Sequence, residues 1–146
     1  MVVIRGYRSE DRASVIEMWD QAWPMPAIHN VPADDIDRKM ADSPDLFIVA
    51  EIGGIIAGCV LAGFDGHRGW INRLVVKPEH RRYGVGQQLI REAEERLSKI
   101  GCHKVNLQIR EGDESIVLFY ESLGYRIEPR TMMGKLLSTT AEPPTG

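Results

Sequence analysis

The chain has 146 residues, of which 43% are hydrophobic and 27% are charged. This length fits one domain, and the composition is that of a globular protein, which excludes a disordered or collagen-like chain. Its 18 Lys and Arg residues against 21 Asp and Glu residues give a net charge of -3. That balance argues against a nucleic-acid partner, because nucleic-acid-binding domains are usually strongly basic.

The first half of the chain predicts short helices and strands separated by turns. Ser9 offers a cap for a helix whose apolar face includes Val15 and Trp19. Three prolines and Trp23 fall in the segment that follows, which predicts a long loop of the kind that forms lids or binding loops. The predicted elements are a strand at 2–5, a helix that begins at 9–11, the loop at 20–33, a helix at 34–40, and strands at 46–52, 55–63 and 70–76.

The second half alternates helices with strands. Pro78 ends the third apolar strand, and Gly101 and Gly124 are natural ends for the two helices. The predicted elements are a helix at 85–100, a strand at 104–110, a helix at 114–123, a last strand at 131–137 and a disordered tail at 138–146. This order predicts an α/β (α+β) fold, a mixed sheet with helices, in a single domain over residues 1–137.

The cysteines and the apolar segments bear on location and metal binding. Cys59 and Cys102 have no metal-ligand or disulfide spacing, which predicts no metal site and a reducing compartment. The N-terminus shows no signal peptide. The longest uncharged apolar stretch, 52–64, is far shorter than the ~20 residues that span a bilayer. We therefore expect a cytoplasmic protein with no membrane partner.

A basic cluster stands out in this acidic chain, because Arg73, Lys77, Arg81 and Arg82 fall within ten residues, with His80 among them. Its last part, Arg81-Arg-Tyr-Gly-Val-Gly-Gln87, opens a predicted helix, where unpaired backbone N–H groups favour an anion. Glycines let the backbone approach a ligand, and arginine suits phosphate, so the segment predicts a diphosphate ligand. It fits neither a P-loop nor a dinucleotide fingerprint. The alternative is a basic solvated turn.

Two segments together resemble a known family. The segment from Leu74 to Gly86, with Arg81-x-x-Gly84-x-Gly86 matching the pattern [QR]-x-x-G-x-[GA], is similar to the acetyl-CoA-binding core of the GNAT superfamily of N-acetyltransferases. About 35 residues further on, Phe119-Tyr-Glu-Ser-Leu-Gly-Tyr125 resembles the late-helix signature of that family. The resemblance implies a mixed, mostly antiparallel sheet flanked by helices, with a splayed central strand pair.

The resemblance also implies roles for individual residues. The backbone of Leu74, Val75 and Val76 would pair with the pantetheine arm and polarise the thioester carbonyl. Tyr120 would be the catalytic residue that protonates the departing thiolate, which suits a phenol of pKa near 10; the alternative is a core tyrosine. The residues that would hold the pyrophosphate are Arg81, Arg82, Tyr83, Gly84, Val85, Gly86 and Gln87.

The implied activity is direct transfer of an acetyl group from acetyl-CoA to a primary amine of a small molecule or of a protein or peptide, an acyltransferase of the EC 2.3.1 class. Trp23, Asp65 and His67 are candidate substrate residues, the last two as bases or as turn residues. Gln108 stands where related enzymes carry a glutamate base, and Asp113 where many carry an asparagine that contacts CoA. These departures leave open a non-catalytic acyl-CoA-binding or sensing module. Such proteins are frequently dimers, so a homodimer is possible.

Overall fold

The computed structural model describes residues 1–137, apart from the side chain of Ile28; the predicted tail at 138–146 lies outside the described residues. Residues 1–108 form one compact unit, and the residues from Ile109 onward form a second. The single domain over residues 1–137 stays a prediction.

The first unit contains one five-stranded sheet, with its strands in the order β1-β2-β3-β4-β5. Neighbouring strands are antiparallel except β4 and β5, which are parallel. The prediction of a mixed, mostly antiparallel sheet flanked by helices is therefore confirmed. The elements of this unit are β1 (Val2–Gly6), α1 (Arg12–Ala22), α2 (Pro32–Asp42), β2 (Phe47–Ile52), β3 (Ile55–Phe64), β4 (Gly69–Val76), α3 (Val85–Lys99) and β5 (Val105–Leu107).

The central strand β3 is buried on both faces, which explains why its sequence reads as a continuous apolar run. Cys59 and Leu61 belong to a core cluster that includes Trp19 of α1 and Ile36 of α2. Gly58 lies on the opposite face, since successive residues of a strand alternate, and there it adjoins α3. Helices therefore cover the sheet on both sides.

The loop between α1 and α2 is shorter than the 20–33 segment that the prolines predict. Helix α1 continues to Ala22, and α2 begins at Pro32, because proline is well tolerated at the first position of a helix. A short 3-10 turn, Ile28–Asn30, lies between them. The connection nevertheless carries Trp23, as predicted.

The second unit contains α4 (Glu114–Ser122). The prediction of a strand at 131–137 is wrong, because these residues form no strand. A strand needs a neighbour that pairs with its backbone N–H and C=O groups. Residues 131–137 have no such ladder within the part of the chain that the structure describes, and Met132, Met133 and Leu137 are exposed. The apolar pattern of this segment does not reveal whether a partner strand exists.

Candidate functional site

The parallel pair of strands separates halfway along β4. Pairing with β5 covers Gly69, Trp70 and Ile71, and β5 itself ends at Leu107. From Asn72 to Val76, β4 therefore has no β5 partner. This half of β4 contains Leu74, Val75 and Val76, so the edge of β4 at these residues has no β5 partner.

A β-bulge separates the two halves of β4. Along β3 the register moves two residues, from Leu61 to Cys59, while the paired positions on β4 move three, from Asn72 to Val75. Arg73 lies in the extra step with φ +50°, in the left-handed region that residues with a side chain rarely adopt. The bulge turns the Arg73 side chain away from the line of the strand.

Arg73 does not join the phosphate-binding cluster that its sequence neighbours suggest. Its Nε donates to Asp35 Oδ2 at 2.7 Å, and its Nη2 donates to the carbonyl oxygen of Asn30 at 2.6 Å. Its Cζ lies 4.5 Å from the ring centroid of Trp19 and 5.4 Å from that of Trp23. Arg73 thus joins β4 to the connection between α1 and α2, a role that sequence spacing alone does not reveal.

The turn predicted to bind an anion follows β4 and leads into α3. Gly84 is the N-cap at φ +71°, which glycine adopts without steric cost, and its carbonyl accepts the first helical hydrogen bond, from Gln88. No side chain caps this end. The backbone N–H groups of Val85, Gly86 and Gln87 therefore have no partner inside the helix and, with the helix dipole, favour an anion.

The two arginines of the turn differ in what they contact. Arg81 Nε donates to the carbonyl oxygen of Val76 at 3.1 Å and so joins the turn to the end of β4. Arg82 is exposed and makes no salt bridge within residues 1–137. Tyr83 is exposed as well. Arg82 thus has its whole guanidinium available for a phosphate, whereas Arg81 Nε is already engaged with Val76.

Tyr120 lies on α4, in the second unit. It is buried, and its ring packs edge-on against Phe119 and Tyr125 at centroid distances of 5.0 and 5.4 Å. Gly124, at φ +95°, ends the helix, and the backbone N–H of Tyr125 returns to the carbonyl oxygen of Tyr120 at 3.1 Å. Burial raises the pKa of Tyr120 to about 12. Gly124 and Tyr125 of the signature therefore fix the end of α4 that carries Tyr120, whose phenol is protonated at neutral pH.

The loop before β4 gives Asp65 the environment of a turn residue. Its Oδ1 accepts the backbone N–H groups of His67 and Arg68 at 2.8 and 2.7 Å, and its Oδ2 accepts Trp70 Nε1 at 3.2 Å. The hydrogen bonds from Arg68, His67 and Trp70 lower the pKa of Asp65, which makes it a weaker base. His67 is exposed beside it. This geometry favours the turn alternative for Asp65.

Asp113 and Gln108, the two positions that depart from the family pattern, lie at a helix start and after a strand end. Asp113 is the N-cap of α4, where a negative charge suits the helix dipole, and its Oδ1 accepts the hydroxyl of Ser115 at 3.2 Å. Gln108 is exposed just after β5.

An open cleft of about 560 Å³ lies between α2 and the strands β3 and β4. Sequence reasoning missed it, because its charged side chains come from α2 and from the β4 bulge, which are distant in sequence. Asp65 and His67 do not line it. The lining residues are Asn30, Asp35, Arg38, Lys39, Asp42, Leu61, Asn72 and Arg73.

The model of the acetyltransferase (GNAT) family matches residues 12–125. The chain belongs to this family. The match spans β4, the turn after it and α3, as well as α4, which carries Tyr120, so both motifs lie within the matched range.

Proteins named as acetyltransferases resemble the chain over almost its whole length. A protein of Pectobacterium atrosepticum named as an acetyltransferase is 39% identical over 139 residues, covering 92% of this chain and 94% of that protein. An acetyltransferase of Yersinia pestis is 37% identical over 144 residues, covering 95% and 98%. The crystal structure of the PaiA N-acetyltransferase of Thermoplasma acidophilum with coenzyme A has a TM-score of 0.73 at 20% identity, covering 90% and 93%.

The described part of this GNAT chain shows neither a metal-binding cluster nor a membrane-spanning helix. Among residues 1–137, no group of three or more His, Cys, Asp or Glu side chains is placed to hold a metal ion. Nor does any helix in that range combine the length and apolar character needed to cross a bilayer. Acetyl transfer is the activity of the family, and the acceptor is the open question.

Proposed function

We propose that this chain is an N-acetyltransferase that moves an acetyl group directly from acetyl-CoA to a primary amine of a small molecule or of a protein or peptide. One observation carries the cofactor half of the proposal. The half of β4 from Leu74 to Val76 has an edge without a β5 partner, and it leads within a few residues to the uncapped start of α3 beside Arg82.

The chemistry of acetyl-CoA fits these features in order along the chain. An extended amide-containing arm can pair with the open edge of β4, as an added strand would. The diphosphate can accept hydrogen bonds from the N–H groups of Val85, Gly86 and Gln87, and Arg82 adds charge. Because Gly84 has no Cβ, the turn lets the phosphates approach the backbone.

The reaction requires one bond to form and one to break. The neutral amine nitrogen attacks the thioester carbon, the N–C bond forms, and the C–S bond breaks. The proton that the nitrogen loses balances the proton that the sulfur gains. Backbone N–H groups of the β4 segment would stabilise the oxygen that carries negative charge in between.

Tyr120 would assist the departure of the sulfur. Its pKa of about 12 keeps the phenol protonated at neutral pH. Full transfer of that proton to a thiolate with an ordinary pKa near ~8.5 is uphill by roughly 5 kcal/mol. Tyr120 would therefore act mainly as a hydrogen-bond donor that stabilises the charge developing on sulfur, with the proton following as the C–S bond breaks.

Titration calorimetry with acetyl-CoA tests the cofactor half. We expect saturable binding that weakens about tenfold or more in Arg82→Ala, because charge-assisted hydrogen bonds are among the stronger polar contacts. Arg91→Ala is a matched control, since Arg91 is an exposed arginine of α3 outside the turn. Absence of binding to the native chain would contradict the proposal, as would equal affinity of the Arg82 and Arg91 variants.

The second candidate is a non-catalytic acyl-CoA-binding or sensing module. It is favoured by Gln108, an exposed neutral amide where related enzymes carry a glutamate base. The sensing module predicts the same calorimetric binding but no release of free thiol across a broad panel of amines. Amine-dependent thiol release would instead establish the enzyme.

A further inference from the structure

We propose that the cleft between α2 and β4 binds the carboxylate of the acceptor, so that the acceptor is an amine that also carries a carboxylate. This inference rests on the proposed function, because it names the acceptor class of the same enzyme. It is carried by Lys39 and Arg73, two cations that line one open cleft.

Lys39 is a half-buried ammonium group that lacks an ion pair. Its Nζ donates to the carbonyl oxygen of Ala62 on β3, and it makes no salt bridge with any described residue. An ammonium has three donors, so two N–H groups remain. Desolvation lowers the pKa of Lys39, and the negative charge of Asp42 offsets part of this lowering. Because a partly desolvated charge is costly until it is paired, an anion in the cleft would be stabilised there.

Arg73 supplies a second, fixed donor in the same cleft. Only 12% of its side chain is exposed, and contacts with Asp35, Asn30, Trp19 and Trp23 hold its guanidinium in place. No bond to its Nη1 is formed by any residue in the described part of the chain. A guanidinium held in one orientation loses little entropy when it binds a carboxylate, which suits recognition.

The charges around the cleft leave a positive excess. Three cations line it, Arg38, Lys39 and Arg73, against the carboxylates of Asp35 and Asp42. Asp35 is shared, since it forms salt bridges with both Arg38 and Arg73. An anionic group is therefore the complementary ligand of this cleft, although the net charge of the whole chain is -3.

The test compares amino carboxylates of increasing chain length with their primary amides, as acceptors for the full chain with acetyl-CoA. Thiol release gives kcat/KM for each member of a pair. We expect at least one carboxylate to exceed its amide by about tenfold or more, the size expected for a charge-assisted contact. The ratio of kcat/KM for the carboxylate to kcat/KM for its amide should fall towards one in Lys39→Met. In Lys99→Met, an exposed lysine of α3, it should remain unchanged.

Amides that react as well as their carboxylates would overturn the inference, as would a preference that survives in Lys39→Met. Arg73→Lys, which keeps the charge but not the planar fork, should lower the ratio partially. Equilibrium binding of the same amino carboxylates, followed by NMR, separates this inference from the proposed function. If no amine is acetylated but carboxylates bind the native chain and not Lys39→Met, the cleft assignment holds and the enzyme proposal fails. If no carboxylate is preferred in turnover or in binding, the cleft assignment is wrong.

Discussion

Gly58 lies where β3 approaches the bulged part of β4, and the substitution Gly58→Ala tests that approach. A Cβ built at Gly58 would lie 2.8 Å from the carbonyl oxygen of Val75, 3.2 Å from Leu89 Cδ1 and 3.4 Å from Val76 Cα. Ordinary Cβ contacts lie at 3.4–4 Å, so the 2.8 Å approach must lengthen by at least about 0.6 Å. Because Val75 belongs to a strand held by hydrogen bonds to β3, the relief must come from a shift of the backbone of β4.

The size of the effect follows from the cost of overpacking. An added methyl group that forces backbone shifts in a core costs about 1–3 kcal/mol. For a domain of this size each kcal/mol lowers Tm by roughly 3 °C, so we expect Tm to fall by about 3–10 °C. The shift displaces Val75 and Val76, the proposed binding edge for acetyl-CoA, so the affinity for acetyl-CoA should fall as well.

Gly63→Ala is the matched control in the same strand. The nearest atom to a Cβ at Gly63 is Lys39 Nζ at 3.7 Å, an ordinary contact. Both variants would be followed by thermal denaturation and by calorimetric titration with acetyl-CoA. Gly63→Ala should retain the native Tm and affinity. The reasoning is refuted if Gly58→Ala unfolds at the native temperature or binds acetyl-CoA as tightly as the native chain.

Three further predictions concern stability, pH and the turn. Burial raises the pKa of Asp11, but hydrogen bonds from Arg5 and the backbone of Arg8 outweigh it and lower that pKa overall. The resulting stability is present above the unfolded pKa near ~4 and is lost as pH falls through the folded value. Arg5 keeps its hydrogen bonds to Glu51 in Asp11→Asn, so this variant should lose about 2 kcal/mol of unfolding free energy near pH 7 in urea denaturation, and the difference should shrink below pH 4; a constant difference would contradict this. Because burial raises the pKa of Tyr120 to about 12, kcat/KM should show no decline between pH 8 and 10 that depends on this phenol; a decline present in the native enzyme and absent in Tyr120→Phe would contradict the raised pKa. At Gly84, φ +71° is tolerated by asparagine better than by valine, so calorimetry should show weaker acetyl-CoA binding for Gly84→Val than for Gly84→Asn, and the reverse order would exclude the turn geometry.

The elements with a strong local pattern could be predicted from the sequence. Helix α3 begins at Val85 as predicted, because glycine, the helical apolar spacing and the preceding Pro78 all favour the same boundary. The strand-turn-helix motif around Arg81 and Gly84 was recognisable for the same reason: its residues are contiguous. The strand expected at 131–137 depended on a partner elsewhere, which a local apolar pattern cannot specify.

The acceptor side of the site could not be predicted in the same way. Arg73 is close in sequence to Arg81 and Arg82, yet the bulge and its contacts with Asp35 separate it from them. Lys39 becomes notable only because α2 packs its side chain over Ala62. Long-range contacts, rather than local propensity, give both residues their chemistry.

The central claim is direct acetyl transfer assisted by Tyr120, and amine-dependent release of free thiol from acetyl-CoA tests it most directly. The native chain should release thiol in proportion to an added amine acceptor, and Tyr120→Phe should lower kcat by roughly 10²-fold with little change in acetyl-CoA affinity. Tyr125→Phe, which removes a hydroxyl from the neighbouring ring, should retain most of the activity. Thiol release that Tyr120→Phe leaves unchanged, or tight acetyl-CoA binding with no amine-dependent release at all, would contradict the account.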